Sequence, residues 1–266
     1  MRPVAVALVV LVFCAGCSGS EISAGVDSSA APSTSDTTAS QPSSTGRTDP
    51  APTTEAPPPP SAEADAAVHA VPPAQWRRMR SVGMIRPECP VTERDQLRVV
   101  EVNHHTFTGR VRRGSLVVNR DVAASVARIF TRIFEAGFPI RRMKPIEAYG
   151  GDDDASMRAD NTSAFNCRRP DQGNASAATS PHANGRAIDL NPRENPWQDP
   201  RCGLCWQPTA RYAQRTPGPG KILSGGAVWR AFTDEGWIWQ DIATADYQHF
   251  DTGYPSVPWD GASGRT

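Results

Sequence analysis

The clearest periodic pattern in the chain runs from Asp121 to Gly137 and predicts an amphipathic helix. Apolar residues recur at the i, i+4, i+7 and i+8 spacing of one buried helical face. They are Val122, Val126, Ile129, Phe130, Ile133 and Phe134. The Asp121 side chain can cap the first turn, while Gly137 and Pro139 end the helix. This helix is expected to belong to the core of a folded domain.

Other apolar runs predict several short strands and two smaller helices around this helix. The predicted strands are 97–107, 115–118, 140–148 and 237–239, and the smaller helices are 76–84 and 224–236. One strong helix combined with several short strands argues for an α+β domain. In that domain, helices pack against a small antiparallel sheet.

The first 66 residues lack the pattern of a folded domain. Residues 18–66 are rich in Ser, Thr, Ala, Pro, Asp and Glu and contain no aromatic residue and no Lys. They cannot bury enough apolar surface to offset the entropy lost on ordering, so we interpret them as a disordered tether. As a flexible chain, such a tether has an r.m.s. span of roughly 40 Å. The folded domain is expected over residues 67–260.

Residues 1–17 resemble an export signal. Arg2 precedes an apolar core, Val4 to Phe13, that is too short to span a bilayer. The segment ends in Ala-Gly-Cys, which resembles a bacterial lipobox, although Cys14 stands where such motifs usually carry Leu. We expect export to the cell envelope, with a lipid on Cys17 anchoring the protein to the outer face of the cytoplasmic membrane. Ordinary signal cleavage nearby is the alternative.

The charge balance indicates which kinds of partner to expect, and the cysteine content indicates whether disulfides form. Lys plus Arg and Asp plus Glu are both 28, so no overall field attracts nucleic acid, and we expect a monomer without a nucleic-acid partner. The four cysteines beyond the signal predict disulfides in an exported chain. Cys202 and Cys205 are three residues apart and predict one pair, which leaves Cys89 with Cys167. The longer bridge closes about 78 residues and should stabilise by ~4 kcal/mol.

Candidate chemistry concentrates in residues 180–189, which read S-P-H-A-N-G-R-A-I-D. The glycine supplies a sharp turn, and the apolar run after it carries Asp189 back towards His182. An imidazole and a carboxylate are two of the three protein ligands that a catalytic zinc site needs. His249 supplies a third, with Asp246 three residues ahead of it. The alternative is that His182 is a surface turn residue and Asp189 a turn or cap residue.

Two other groups of potential metal ligands are interpreted as structural. His104 and His105 are neighbours on a predicted strand, so their side chains point to opposite faces, and both are expected to be structural or at the surface. The acidic run from Gly150 to Asp154 lacks the alternating spacers of a calcium loop. It predicts a solvated turn.

These motifs resemble those of the zinc D-alanyl-D-alanine carboxypeptidases. Relatives of that family include the vancomycin-resistance D,D-peptidases and the L-alanyl-D-glutamate endopeptidases. The signature S-x-H-x-x-G-x-A-x-D is complete over 180–189, and Asp246 and His249 fit [ED]-x-x-H. The resemblance covers Arg86 to Asp251 and is closest to a carboxypeptidase-like core domain of exported actinobacterial proteins. It implies a zinc fold that is shared with Hedgehog-type relatives.

The resemblance also implies a reaction. One zinc ion held by His182, Asp189 and His249 would polarise a scissile carbonyl and bring the pKa of a water to ~7. Asp246 would be the general base, and Arg168, which the family places on a strand ahead of the first motif, would stabilise the developing oxyanion. The implied substrates are peptide bonds involving D-amino acids in peptidoglycan stem peptides.

Several alternatives stay open at this stage. Carboxypeptidases of the family usually have Glu where this chain has Asp246, whereas the endopeptidases often have Asp. A surface salt bridge is the alternative role for Arg168. A wall-binding pseudoenzyme is the rival class of function, because Hedgehog-type relatives keep the zinc site without demonstrated peptidase activity. The presence of both Asp246 and Arg168 favours an enzyme. The third class is a secreted interaction domain with accidental motifs.

Overall fold

A computed structural model describes residues 63–172, 178–239 and 244–260. The α-helices in these ranges are α1 (Pro73–Ser81), α2 (Ala123–Glu135), α3 (Asp153–Arg158) and α4 (Ala227–Thr233). The strands are β1 (Ala67–Ala70), β2 (Leu97–His105), β3 (Val111–Asn119), β4 (Arg142–Met143), β5 (Asn161–Thr162), β6 (Ala187–Asp189), β7 (Trp197–Asp199), β8 (Cys205–Gln207), β9 (Ile238–Trp239) and β10 (His249–Asp251). Short 3₁₀ turns connect them at Arg94–Gln96, Ile146–Tyr149, Pro170–Gln172, Pro200–Cys202 and Ala210–Tyr212.

The strands form small sheets rather than one continuous sheet. The first sheet has the order β1-β2-β3 and the second has the order β6-β10-β9, and both are antiparallel. The strands β7 and β8 form an antiparallel hairpin, while β4 and β5 make a short parallel pair. The architecture confirms the predicted α+β class with small antiparallel sheets. The sequence predicted a single sheet, whereas the described residues distribute their strands over several.

The main core joins the two three-stranded sheets to the helices α2 and α4. The apolar face of α2 packs on the first sheet, with Ile129 completely buried beside Val100 and Leu116. Phe232 of α4 stacks on Phe250 of β10, with ring centroids 3.9 Å apart. Both sheets thus share one apolar core with α2 and α4.

The long helix matches its predicted apolar face but not its predicted cap. The helix begins at Ala123, and its N-cap is Val122 without a side-chain hydrogen bond. Asp121 instead pairs with the Arg186 guanidinium at 2.6 Å and accepts a hydrogen bond from the Trp259 backbone. The partly buried Arg186 guanidinium competes with the helix terminus for the Asp121 carboxylate, and this contact is not visible in the local sequence.

Three further boundaries differ from the sequence predictions. The predicted strand at 140–148 is reduced to β4, because Pro145 precedes a 3₁₀ turn at Ile146–Tyr149. The predicted turn at 150–154 begins α3, with Asp152 accepting the capping hydrogen bond from Ala155. Globular packing starts before residue 67, since Ala64 is buried in the main core and its carbonyl accepts from Asn103. The predicted export signal and the tether up to residue 62 lie outside the described residues.

Both predicted disulfides are present. Cys89 bonds to Cys167 and Cys202 bonds to Cys205. The first bridge is buried in a second apolar cluster beneath α1, where Met79 and Phe165 also pack. Among the described residues, no helix combines the length and apolar character that crossing a membrane requires.

A buried carboxylate pair joins Glu194, in the loop after β6, to Asp160, which directly precedes β5. Arg141 donates to Asp160 Oδ2 at 2.5 Å and to Glu194 Oε1 at 3.0 Å. Glu194 is 2% exposed, and its second oxygen has no hydrogen-bond partner among the described residues. Burial and the negative charge of Asp160 raise the pKa of Glu194 to about 7. Arg141 therefore pairs with both carboxylates, and its single positive charge cannot fully offset their two negative charges.

This pair predicts a pH-dependent stability. The ordinary pKa of Glu194 is 4.5, so the unfolded chain releases this proton at a lower pH than the folded protein. The contribution of Glu194 to the free energy of unfolding should be highest below pH 4.5, fall as the pH rises to about 7, and then level off. Glu194→Gln should flatten this part of the profile in urea unfolding from pH 4 to 8. The exposed-site control Glu135→Gln should leave it unchanged, and an unaltered slope in Glu194→Gln would contradict the assignment.

Candidate metal centre

A tight turn presents His182 ahead of β6. Gly185 has a φ of +71°, and a Cβ atom at this position would lie 2.7 Å from the backbone N of Asn119. Glycine is therefore required both by the backbone conformation and by the close approach. The Gly185 N–H donates to the His182 carbonyl at 3.0 Å, and the Asn119 N–H donates to the Gly185 carbonyl at 2.8 Å. These contacts anchor the turn to the end of the first sheet.

Strand pairing brings Asp189 and His249 together. β6 and β10 run antiparallel in a register that places His249 opposite Asp189 and Phe250 opposite Ile188. Side chains alternate between the two faces of a strand. Ile188 and Phe250 enter the main core, so Asp189 and His249 occupy the other face. The second sheet thereby places two potential ligands side by side.

His182, Asp189 and His249 form a compact donor cluster. One potential ligand atom from each residue lies within 4.8 Å of the other two, and all three residues are buried. His182 Nε2 lies 3.2 Å from Asp189 Oδ2, and His249 Nδ1 lies 3.2 Å from Asp189 Oδ1. The two ring nitrogens are also 3.2 Å apart. The structure therefore brings together the three residues that the sequence predicted as ligands.

Each histidine is oriented by a second contact on its other ring nitrogen. His182 Nδ1 lies 2.7 Å from the carbonyl oxygen of Ala164. His249 Nε2 lies 2.9 Å from Oδ2 of Asp251, which is completely buried. An N–H on each of these outer nitrogens leaves His182 Nε2 and His249 Nδ1 free as ligand atoms. Such outer hydrogen bonds fix the tautomer and the ring orientation of metal-binding histidines.

Asp251→Asn is expected to weaken metal binding about 10- to 100-fold, because it removes the carboxylate that orients His249. The three donor residues remain, so the site should still fill at high metal concentration. Competition with a chelator of known affinity would measure the change. Asp95→Asn, at an exposed salt bridge with Arg120, is the matched control. Equal metal affinity in Asp251→Asn and the native protein would contradict the orienting role.

The electrostatics of the cluster favour a cation. Burial opposes ionisation of Asp189, but the neighbouring His182 and His249 rings hold the pKa of this carboxyl well below its usual range. Burial would also lower the pKa of His249, yet hydrogen bonds to Asp189 and Asp251 raise it well above its usual value. Buried carboxylates thus stabilise positive charge at the point where the donor atoms converge. Two imidazole nitrogens and a carboxylate oxygen fit zinc, which accepts these ligand types.

Asp246 is a buried carboxylate near the cluster. It is 7% exposed, and its Oδ1 has no hydrogen-bond partner among the described residues. Burial raises the pKa of Asp246 to about 7; the negative charge of Asp189 adds to this rise, whereas the two histidines oppose it. A carboxyl group with this pKa exchanges protons readily near neutral pH.

The β7–β8 hairpin holds Asp246 in place. Trp197 bridges to Asp246 in the antiparallel sense, and the Gln198 N–H donates to the Ala245 carbonyl at 2.8 Å. The Cys202–Cys205 disulfide closes the turn of this hairpin. Asp246 therefore lies directly before the turn that leads into β10, close to its predicted location.

Arg168 lies close to the cluster. The resemblance had implied that it would be on a strand, but the structure has no strand at this residue. β5 ends at Thr162, and Arg168 follows it in an irregular segment. Its Nε donates to Asp153 Oδ2 at 2.7 Å. Burial would lower the pKa of Arg168, but the carboxylates of Asp153, Asp189 and Asp246 outweigh this and raise it. The pair is largely buried, at 18% and 12% exposure, so the surface salt bridge considered for Arg168 is excluded.

Two contacts at the site were not predicted from the sequence, that of Asp251 with His249 and that of Asp153 with Arg168. The Ser180 hydroxyl accepts from the Ala183 backbone at 3.4 Å, as expected for a turn residue. The contact between Asp251 and His249 could have been found from strand alternation, since the two residues are two positions apart. No local signal connects Asp153 to Arg168, because the two residues are far apart in sequence.

Comparison with known protein families finds a similarity to a peptidase family over the segment that carries these residues. Residues 173–252 match the family model for D-alanyl-D-alanine carboxypeptidase. The matched segment contains all three members of the donor cluster, as well as Asp246 and Asp251. Residues 86–172, over which the sequence resemblance also extends, lie outside the match. Neither a curated protein nor a solved structure matches the chain.

Proposed function

We propose that this protein is a zinc metallopeptidase that hydrolyses peptide bonds involving D-amino acids in peptidoglycan stem peptides. The observation that carries the proposal is the convergence of His182, Asp189 and His249 within a segment that matches a carboxypeptidase family. We propose the Hedgehog-type zinc fold for the same reason. The buried carboxylate of Asp246 supports an enzyme over a wall-binding module, because binding alone does not require a proton acceptor at this position.

Each polar group then has a chemical task. His182, Asp189 and His249 would hold the metal, and Asp251 would keep His249 in the ligating orientation. Zinc, when bound, supplies a Lewis acid for the scissile carbonyl and lowers the pKa of a water to ~7. Proton transfer and stabilisation of the developing charge would then depend on side chains that do not bind the metal.

Asp246 is proposed to move the proton and Arg168 to stabilise the charge. As water oxygen bonds to the carbonyl carbon, Asp246 accepts a proton from it, and the same proton passes to the amine when the C–N bond breaks. The Arg168 guanidinium lies within electrostatic reach of Asp189 and Asp246. It would stabilise the negative charge that develops on the carbonyl oxygen.

The proposed location is the cell envelope, with lipid on Cys17 and residues 18–66 reaching towards the peptidoglycan. Cys17 and residues 18–62 lie outside the described residues. The support for the lipid anchor and the tether is therefore the sequence pattern. The substrate and the proposed location agree, because stem peptides lie outside the cytoplasmic membrane.

Mass spectrometry of defined stem peptides after incubation with the zinc-loaded protein tests this function. Loss of a terminal D-alanine would identify a carboxypeptidase, and cleavage between L-alanine and D-glutamate would identify an endopeptidase. A peptide of the same sequence with only L-residues is the matched control and should stay intact. Binding of peptidoglycan without cleavage of any stem peptide would support the pseudoenzyme instead.

A further inference from the structure

A second candidate binding site lies at the turn end of the β2–β3 hairpin. A groove of about 620 Å³ runs between this hairpin and residues 141–144. Its lining includes His104, Phe107 and several basic side chains, and no acidic residue contributes to it. None of the lining residues belongs to the His182, Asp189 and His249 cluster. The groove is therefore separate in composition from the proposed catalytic site.

Much of the positive charge in this groove has no acidic partner among the described residues. Four of its cations have no carboxylate within ion-pair distance among the described residues: Arg110, Arg112, Arg142 and Lys144. Two other arginines in the groove are paired, Arg113 with Asp65 and Arg141 with Asp160 and Glu194. The whole chain has equal numbers of acidic and basic residues. The groove is thus a local concentration of charge, which overall composition does not reveal.

His104 adds a buried polar group without a partner. It is 4% exposed, and neither ring nitrogen has a hydrogen-bond partner among the described residues. It lies directly across the strand pair from Arg112, so the two side chains share one face. A Cβ atom at Gly114 would lie 3.0 Å from His104 Nδ1, which shows how closely the ring is enclosed.

An unpaired ring nitrogen at this depth is costly. Leaving a buried donor or acceptor unsatisfied loses the hydrogen bond that it makes to water in the unfolded chain. Burial and the nearby Arg112 charge lower the pKa of His104 to about 4, so the neutral ring offers one N–H donor at physiological pH. An oxygen of a ligand in the groove would satisfy that donor.

We propose that this groove binds an anion that carries two or more phosphate groups. Guanidinium groups donate paired N–H bonds in a geometry that matches phosphate oxygens. A phosphate group carries at most about two negative charges near neutral pH. The four uncompensated cations therefore exceed the charge of one phosphate and suit a short polyphosphate or phosphodiester chain. Soluble chains and the headgroups of an anionic membrane share this chemistry.

Isothermal titration of the full-length protein with tripolyphosphate tests the proposal. We expect saturable binding that weakens with added salt and falls roughly tenfold for each guanidinium removed in Arg112→Gln and Arg142→Gln. Arg120→Gln, at an exposed arginine outside the groove, is the matched control and should bind normally. His104→Phe should weaken binding while keeping the four cations. Thermal melting and zinc content should be unchanged in the arginine variants.

Two comparison ligands show whether the anion belongs to a membrane or to a soluble molecule, and whether it must be a phosphate. Vesicles with phosphatidylglycerol, compared with neutral phosphatidylcholine vesicles, show whether phospholipid headgroups occupy the groove. Binding to the anionic vesicles alone, with loss in Arg112→Gln, would support the phosphate site and assign the membrane as its source. Equal affinity for a tricarboxylate would overturn the phosphate assignment. Undiminished tripolyphosphate binding when Arg112→Gln and Arg142→Gln are combined, or no saturable binding of any phosphate ligand, would overturn the site.

Discussion

Asp246→Asn is expected to reduce turnover on a cleaved stem peptide by a factor on the order of 10²–10⁴, the usual contribution of a positioned general base. The amide cannot accept the proton that the carboxylate would take, although its size is nearly the same. Zinc content should remain near that of the native protein, because His182, Asp189 and His249 are all retained. Steady-state kinetics and metal analysis of the same protein preparation measure the two effects together.

A second substitution at Asp246 tests whether the position of the carboxylate matters. Asp246→Glu keeps the charge but lengthens the side chain by one methylene, so it should also lose activity if the position of the carboxylate matters. Loss of zinc in Asp246→Asn would make Asp246 a ligand and reverse its assignment. Unchanged turnover in Asp246→Asn would remove it from the proton-transfer step.

The sequence predicts those parts of the fold that depend on local periodicity. The apolar face of α2 and the hairpin β2–β3 follow from side-chain spacing, because each pattern reports which face is buried. The boundaries are less predictable, as residues 140–148 show. Their apolar content indicated a strand, but Pro145 and the pairing of β4 with β5 leave only two residues in that state. Strand length depends on which partner is available, and that is a property of the tertiary structure.

The donor cluster was predictable because its residues stand at fixed positions in two short motifs. Gly185 indicates a turn, and the residues beside Asp189 and His249 alternate as expected for strands with one buried face. The groove around His104 was not predictable in this way. Its cations come from separate segments, the β2–β3 hairpin and residues 141–144, and only the fold brings them together. The sequence placed His104 in a structural role and gave no indication of its missing hydrogen-bond partners.

The surroundings of Arg168 show how distant segments support the site. Asp153, at the start of α3, binds its Nε. Arg86 donates to the Arg168 carbonyl at 2.9 Å, and the Cys89–Cys167 disulfide secures the preceding residue. Segments that lie outside the matched family region therefore position a side chain next to the donor cluster. The surroundings of the site therefore include the N-terminal half of the domain, although the family match begins at residue 173.

Removing one ligand atom from each histidine in turn is expected to abolish metal binding and hydrolysis together. His182→Asn keeps a polar group where Nδ1 contacts the Ala164 carbonyl but removes Nε2, the proposed ligand atom. His249→Gln keeps a group that can reach Asp251 but removes Nδ1. A catalytic zinc site has three protein ligands, so two remaining donors should not retain the ion during gel filtration.

The design of these substitutions separates metal loss from unfolding. A simple His182→Ala change would also leave the buried Ala164 carbonyl unpaired, which costs about 1–3 kcal/mol, whereas the amide of Asn preserves that hydrogen bond. Circular dichroism should therefore show a folded protein in both variants. His69→Ala, at an exposed histidine paired with Glu101, is the matched control and should keep metal and activity. Native metal affinity in either variant would contradict the assignment of that histidine as a ligand, because the introduced amide oxygen is a weaker zinc ligand than an imidazole nitrogen.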